Sequence, residues 1–557
     1  MSVLQECRKV VLINFYDRTC VSTRILYSIL KGAGHEPYLI IFKDDRITVI
    51  DSFKKDNLYY QTIFHNEFNG CGEDVNPPTE REIDILIKKM VEINPDVIGI
   101  SARSVAKDIS KRIVSKLRKV LPKVRYIGGG YGPTVEPEKF LEFLDFVCLG
   151  EGDECILGMV ISKDPREVNN VAWLENGKLL YNKLAKGVNL NEAAYPNWDL
   201  DNKYMVEDNA IKSFEDVYDI TAYDIFASRG CPAGCTYCMA SHWNDMYGKY
   251  GAGISGIRLR SPESVIDELL IAKEKYNLGF VRFKDSIFGF NEKWFYKFMD
   301  LYDEEIGLKF FCYLDERFID EDRIKRLVSS GLDRTVVGIQ SANEKIRKDI
   351  MKRNISDDGL VEYANLVVKY GMRLQYDIIG WNPFEDNNTL REGTKFLKRL
   401  PKGDLTGMFQ LKVFHGSRLD SMIKERTPKP LSNKDYEYWA WIYQMILRSK
   451  ETEEMADFIM KYTYFKEHPR LLKSLFSEAL GKLSIRDKLF AARDIDRGGI
   501  ITQVMIEMKR TDKKGGICVE EVRSVEGRTA CKSIIKGKML TRDDFYSEYG
   551  AYGASIQ

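Results

Sequence analysis

The sequence carries no excess charge. Its 557 residues set 84 Lys and Arg against 83 Asp and Glu, a net charge of +1. A binder of polyanions shows a basic footprint, so nucleic acid is not expected as the main partner. No apolar run approaches the roughly 20 residues that cross a bilayer, so no membrane span is expected. The opening MSVLQECRKVVLINFYD lacks a signal-peptide shape, because charges precede a short strand-like run and no small-residue cleavage site follows. A cytoplasmic protein is expected, and there a disulfide framework is not. Of 11 cysteines, Cys7, Cys20, Cys71, Cys148, Cys155, Cys312, Cys518 and Cys531 stand singly and read as small buried hydrophobes. Internal repeats and low-complexity tracts are missing. The glycine run at 128–130 is not GxGxxG and follows a later strand rather than the first, which argues against a dinucleotide site there.

What is there is alternation of strand and helix. KVVLINF (Lys9–Phe15), EPYLIIF, VIGISA (Val97–Ala102), VRYIGGG and FVCLG are continuous apolar runs separated by segments with helical spacing, such as KDISKRIVSKLRKVLPK. Continuous apolar strands imply a parallel sheet covered on both faces. A doubly wound domain is predicted, with ligands beyond the carboxyl ends of its strands. Three loops lie there: NFYDRTCVST, SARSVAKD and GGGYGPT. Glycines 128, 129 and 130 would let the backbone approach a large ligand closely. VAWLENGKLLYN reads as a small hairpin, and LNEAAYPNWDLDNKY as a traversing linker.

A second series starts at YDIFASRG (Tyr223–Gly230). FVRFKDS, KFFCYLDE, RTVVGIQS, RLQYDIIG and GMFQLKVFHG follow, with helices between them; Ser261 or Ser264 stands near the start of the first helix. Six β/α repeats predict a laterally open barrel whose chemistry sits at the strand C-termini. Beyond it, Trp439, Trp441 and Tyr443 spread around a helix and read mainly as core. Near the end, two strand-like runs around KKGG predict a small hairpin.

The first strand of the second series runs into RGCPAGCTYCMA, with Cys231, Cys235 and Cys238 inside eight residues. Structural zinc wants four ligands, and the nearby His242 is a candidate fourth. A four-iron cluster held by three thiolates instead leaves one iron open to a chelating small molecule. Three clustered thiols in a cytosolic chain favour the iron–sulfur reading.

CPAGCTYC at the end of the first strand of such a series resembles the radical S-adenosylmethionine (SAM) superfamily over about Tyr223 to Leu419. The resemblance implies a [4Fe–4S] cluster on Cys231, Cys235 and Cys238, and SAM chelated to the open iron and cleaved to a 5′-deoxyadenosyl radical. Tyr237 stands where the family has an aromatic. FKDSIFGFN resembles the segment that holds the SAM methionyl group, so Asp285 and Ser286 would contact it or bond within their own loop. VGIQS resembles the end that meets ribose and carboxylate, implying contacts from Gln340 and Ser341, although the family commonly has Glu at 340. Tyr313 and Arg317 are further SAM-contact candidates. YDIIGWNPFED resembles the turn near adenine. His415 replaces a more frequent Pro and reads as a loop or core residue, with a substrate-facing role as the alternative.

The doubly wound domain ahead of that barrel resembles the cobalamin-binding subgroup. This implies cobalamin between the domains, contacted by Ser101, Gly128, Gly129 and Gly130. The first loop has no DxHxxG, so a His-ligated cobalt is not expected. The resemblance as a whole implies an α/β protein in four parts. These are a Rossmann-like cobalamin-binding domain over 1–160, a linker with a hairpin over 161–220, a partial (β/α)6 radical SAM barrel over 221–425, and a mostly helical C-terminal region over 426–557. It implies a methyltransferase acting on an unactivated carbon or phosphorus of a small-molecule or peptide substrate, fed by a reductant such as flavodoxin or ferredoxin. The alternatives are a radical oxidative cyclase, ring-rearranging or C–C coupling enzyme, and a non-catalytic iron–sulfur or corrinoid-binding protein.

Overall fold

A computed structural model describes residues 6–44, 78–217, 222–250, 256–276, 278–403, 405–469 and most of 486–545 with short gaps. The chain divides into two compact units, the first running to Ser449 and the second starting at Lys450.

The first sheet has nine strands: β1 (Lys9–Tyr16), β2 (Glu36–Asp44), β3 (Val97–Ser101), β4 (Arg125–Gly129), β5 (Phe146–Cys148), β6 (Val171–Glu175), β7 (Lys178–Tyr181), β8 (Lys203–Glu207) and β9 (Ala210–Ser213). Their order is β7-β6-β5-β4-β3-β1-β2-β8-β9. Strands β5, β4, β3, β1, β2 and β8 pair in parallel. Strands β6, β7 and β9 join antiparallel at the two edges. The predicted hairpin is therefore β6–β7, built onto the sheet edge through β5. Strands β8 and β9 emerge from what the sequence presents as linker and polar chain: KYMVE is short, and Lys203 at its start is a charge. That charge is buried, with Nζ donating to Asn197 Oδ1 at 2.7 Å and lying 3.9 Å over the Tyr27 ring.

The helices cover both faces because their apolar residues fall on one side. Helix Glu80–Ile93 buries Ile83, Leu86, Met90 and Ile93, and starts in a capping box between Thr79 and Glu82. Glu82 also takes a buried ion pair from Lys43 at 2.8 Å. Helix Lys107–Val120 buries Ile109, Ile113, Val114 and Leu117.

The second sheet has six strands, β10 (Ala222–Ile225), β13 (Phe280–Phe283), β14 (Lys309–Phe311), β15 (Leu332–Gln340), β16 (Arg373–Gly380) and β17 (Leu405–Gln410), in that order and all parallel. Sequential parallel order with a helix after each strand is the predicted half-barrel. Between β10 and β13 lies a two-stranded ribbon, β11 (Ser228–Gly230) with β12 (Ile257–Leu259). Ser261, not Ser264, caps the following helix: its Oγ accepts from Ser264 N at 3.2 Å, and Pro262 follows at the first helical position. Helix Asn433–Arg448 is buried on nearly every side, and Tyr443 Oη and Trp439 Nε1 donate to Leu390 O and Asn387 Oδ1. The spread of its aromatics is that of a core helix.

In the second unit, β18 (Arg486–Ala491) pairs antiparallel with β19 (Ile506–Thr511). The run before KKGG thus finds its partner upstream. Residues 512–515 and 518–524, which hold most of the other half of the expected hairpin, lie outside the described residues. Among the described residues no helix is long and apolar enough to cross a membrane.

Candidate functional site

The cysteine loop leaves β11 and ends at Cys238, which starts helix Met239–Lys249. Its entry is set by Asp285, at the end of β13. Asp285 Oδ2 accepts from Ala227 N at 3.1 Å, and Oδ1 accepts from the Ser228 hydroxyl. Its far side is fixed by Thr236, whose N and Oγ1 donate to Met351 O at 3.1 Å and Ile350 O at 2.6 Å. Asn244 Nδ2 donates back to Cys231 O at 3.0 Å. Cys231 and Cys235 are buried and Cys238 is half-buried. Burial pushes the Cys231 thiol up to about 11 and also raises Cys238. Such thiols stay protonated at neutral pH until a metal displaces the proton. Among the described residues, no three His, Cys, Asp or Glu side chains are gathered tightly enough to hold one metal ion. Three thiols on one loop suit a cluster in which each meets a different iron.

Around this loop stands a buried charge network that sequence reasoning missed. Arg353 donates to Glu316 Oε1 and Oε2 at 2.7 and 2.8 Å and to Asp315 Oδ2 at 3.2 Å, and its Nε is buried with no hydrogen-bond partner. Arg317 forks onto Asp315 at 2.8 and 2.6 Å. Burial alone would raise Asp315, but Arg317 and Arg353 outweigh it and hold the carboxyl below its usual range. No motif announces Arg353. Its partners lie 37 and 38 residues upstream.

The other expected SAM contacts sit at or near the C-terminal ends of β13 to β15. Ser286 is exposed and Tyr313 half-buried. Ser341 is fully buried and donates to Glu385 Oε1 at 2.6 Å; burial lifts Glu385 to about 7. Gln340 has φ 63° and Trp381, just past β16, has φ 55°. Left-handed backbone at large non-Gly residues is strained and concentrates at functional sites. Trp381 also stacks on Tyr436, with centroids 5.7 Å apart. Tyr237 is half-buried within the loop. His415 is exposed on the loop after β17, with Nδ1 3.7 Å from Asp420 Oδ2. His242 is buried on helix Met239–Lys249, with both ring nitrogens lacking a hydrogen-bond partner.

Ser101, Gly128, Gly129 and Gly130 all line one cavity of ≈ 400 Å³ at the C-terminal ends of β1, β3 and β4. Its floor is apolar, with Leu12, Ile100 and Ile127, and among the described residues no His lines it. Its opposite wall comes from the chain on either side of the cysteines: Arg229, Gly230, Met239 and Ala240, then Trp243 and Tyr247. Gly130 has φ 89° and ψ −166°, a region open essentially to Gly alone. A Cβ on Gly129 would meet only Cys148, at 3.8 Å, so the space above it belongs to the cavity. The hydroxyls of Tyr131 and Tyr247, both on the lining, are buried without hydrogen-bond partners. A broad apolar ring system fringed with amide groups fits this floor and these two unused donors. The loop after β1 is closed on itself: Asp17 Oδ1 accepts from Thr19 N, Thr19 Oγ1 and Cys20 N.

Comparison with known proteins matches the two domains that meet here. Residues 225–391 match the radical SAM superfamily, and residues 71–158 match the B12 binding domain. The chain thus carries a radical SAM domain and a B12-binding domain, whose cofactors are a [4Fe–4S] cluster with SAM and cobalamin. An uncharacterized methyltransferase of Pyrococcus horikoshii is 24% identical over 346 residues, covering 60% of this chain and 69% of the other. The cytidylyl-2-hydroxyethylphosphonate methyltransferase of Streptomyces wedmorensis is 24% identical over 336 residues, 54% of this chain and 59% of the other. The anaerobic magnesium-protoporphyrin IX monomethyl ester cyclase of Rubrivivax gelatinosus is 24% identical over 319 residues, 51% and 53%. The match thus spans less than two thirds of the last two proteins. The fold is shared with the cobalamin-dependent SAM radical enzyme OxsB, at TM-score 0.58 and 16% identity over 86% of this chain and 76% of that one. It is also shared with the radical SAM methyltransferase TsrM of Kitasatospora setae, at TM-score 0.55 and 12% identity over 76% and 75%.

Proposed function

We propose that this enzyme transfers a methyl group to an unactivated carbon, or to phosphorus, of a small-molecule or peptide substrate. The observation that carries the reading is the shared cavity wall. The residues flanking Cys231–Cys238 and the Gly128–Gly130 loop face one space, so two cofactors of different chemistry would meet there. When bound, the cluster with SAM supplies a hydrogen-abstracting radical and cobalamin supplies the methyl group. Cys231, Cys235 and Cys238 would hold three irons. Ser101 and Gly128–Gly130 would hold the corrinoid on its apolar floor, with the Tyr131 and Tyr247 hydroxyls as donors to its edge. Tyr237, Ser286, Tyr313, Arg317, Gln340 and Ser341 would bound the SAM side. Asp285, whose oxygens already hold Ala227 and Ser228, would act on that side by fixing the loop. Two of the relatives above are named methyltransferases, which supports the reaction type. The chain would work in the cytoplasm, with flavodoxin or ferredoxin as reductant.

The Rubrivivax relative is named a cyclase, which supports a second reading: radical cyclisation, rearrangement or C–C coupling without methylation. The test is the reduced, reconstituted enzyme with methyl-labelled SAM. Label in the bound corrinoid together with 5′-deoxyadenosine supports methyl transfer. Formation of 5′-deoxyadenosine with no label moved supports the second reading. No SAM cleavage contradicts both.

A further inference from the structure

The ribbon β11–β12 sets Arg229 directly opposite Arg258. Like charges opposed on a ribbon destabilise it, so something must neutralise the pair. The neutralising groups come from the turn after β5, in the other domain. Arg229 forks onto Asp153 at 2.9 and 3.0 Å and reaches Glu151 Oε2 at 3.1 Å. Arg258 pairs with Glu151 Oε1 and donates to Val188 O at 3.1 Å. The side chains of Arg229, Arg258, Glu151 and Asp153 are 22%, 25%, 14% and 10% exposed. Two positive and two negative charges thus cancel in a largely dry place, and losing either side strands charge there.

The position of this quartet gives it a second meaning. All four residues line the ≈ 400 Å³ cavity, and Arg229 stands two residues before Cys231. The ribbon is also closely pinned: a Cβ on Gly230 would lie 2.0 Å from Gly256 O. Ordering the cysteine loop therefore fixes Arg229, Arg229 fixes the Glu151–Asp153 turn, and that turn is a wall of the corrinoid cavity.

We propose that Glu151, Asp153, Arg229 and Arg258 are positioning residues that make cluster binding and cobalamin binding mutually dependent. The inference rests on the cofactor placement proposed above. Linkage of this kind is reciprocal and typically amounts to about 5- to 150-fold in affinity.

The test titrates hydroxocobalamin into the full-length protein under anaerobic conditions, with and without a reconstituted cluster, following corrinoid absorbance. The wild type should bind at least about 5-fold more tightly when the cluster is present. In Arg229→Gln and, separately, in the near-isosteric Asp153→Asn, that ratio should fall towards one. The swap R229D with D153R should restore part of it. A wild-type ratio of one, or the same ratio in both neutral variants, overturns the inference while leaving the cofactor placement intact. A wild type that binds no hydroxocobalamin in either form overturns the placement and the inference together.

Discussion

The carboxylate of Asp285 accepts a hydrogen bond from the hydroxyl of Ser228, three residues before Cys231. Its other oxygen accepts from Ala227 N at 3.1 Å. Burial raises this carboxyl from 3.8 to about 6, although both bonds pull it down. The residual cost of ionising it is about 3 kcal/mol. A carboxyl raised on folding stabilises fully below its unfolded value, and that contribution is lost as pH rises through its folded value. Asp285 therefore lowers stability progressively between about pH 4 and 6. Asp285→Asn keeps an acceptor for Ala227 and should abolish this slope while retaining iron. Asp285→Ala leaves a buried N–H unpaired, costs about 1–3 kcal/mol, and should lose iron. Denaturation midpoints across this pH range, with iron content, check both.

Arg353 closes the opposite side of the loop. Arg353→Ala strands the Glu316 carboxylate in the interior and leaves Asp315 to Arg317 alone, and breaking such a buried pair costs about 3–5 kcal/mol. Arg353→Lys keeps the charge but not the fork and should fall between the two. Chemical denaturation of the three proteins measures this, and a loss below about 1 kcal/mol for the Ala variant would mean the network is effectively exposed.

Thr236 ties the loop to Ile350 and Met351. Thr236→Val removes one hydrogen bond at nearly constant volume, worth about 0.5–1.5 kcal/mol, while Thr236→Ser keeps it. Iron retained after gel filtration should fall for Val and hold for Ser. Equal retention would show that the backbone bond to Met351 suffices.

Gly130 occupies a backbone region that an L-residue reaches only at about 1–3 kcal/mol. Its Cβ would also press on Ala102 O at 3.3 Å. Gly130→Ala should weaken hydroxocobalamin binding while leaving unchanged the iron content of protein reconstituted without cobalamin, because the cysteine loop does not pass through this residue. Loss of iron in the cobalamin-free protein would contradict that separation.

These predictions draw on different layers of legibility. The two β/α series could be read because their strands are continuous apolar runs, and the candidate cluster loop stood out because three thiols fall within it. That Gly128–Gly130 would line the open end of the sheet could be read because the run follows a strand directly. Strand β8 could not, since its apolar residues are few and Lys203 gains its place only through Asn197 and Tyr27. Nor could Arg353 or the Arg229–Asp153 pair, whose partners are 37–38 and 76 residues away: charge pairing has no period along a chain. The strain at Trp381 is invisible for a similar reason, because it is imposed by the strand end and by Tyr436.

The central claim is that one chain holds both cofactors in one unit. Anaerobic reconstitution with iron, sulfide and hydroxocobalamin, followed by gel filtration and metal analysis, tests it most directly. The account predicts about four irons and about one cobalt per chain, with iron lost when Cys231, Cys235 and Cys238 are replaced by Ala. Four irons with no retained cobalt would contradict it.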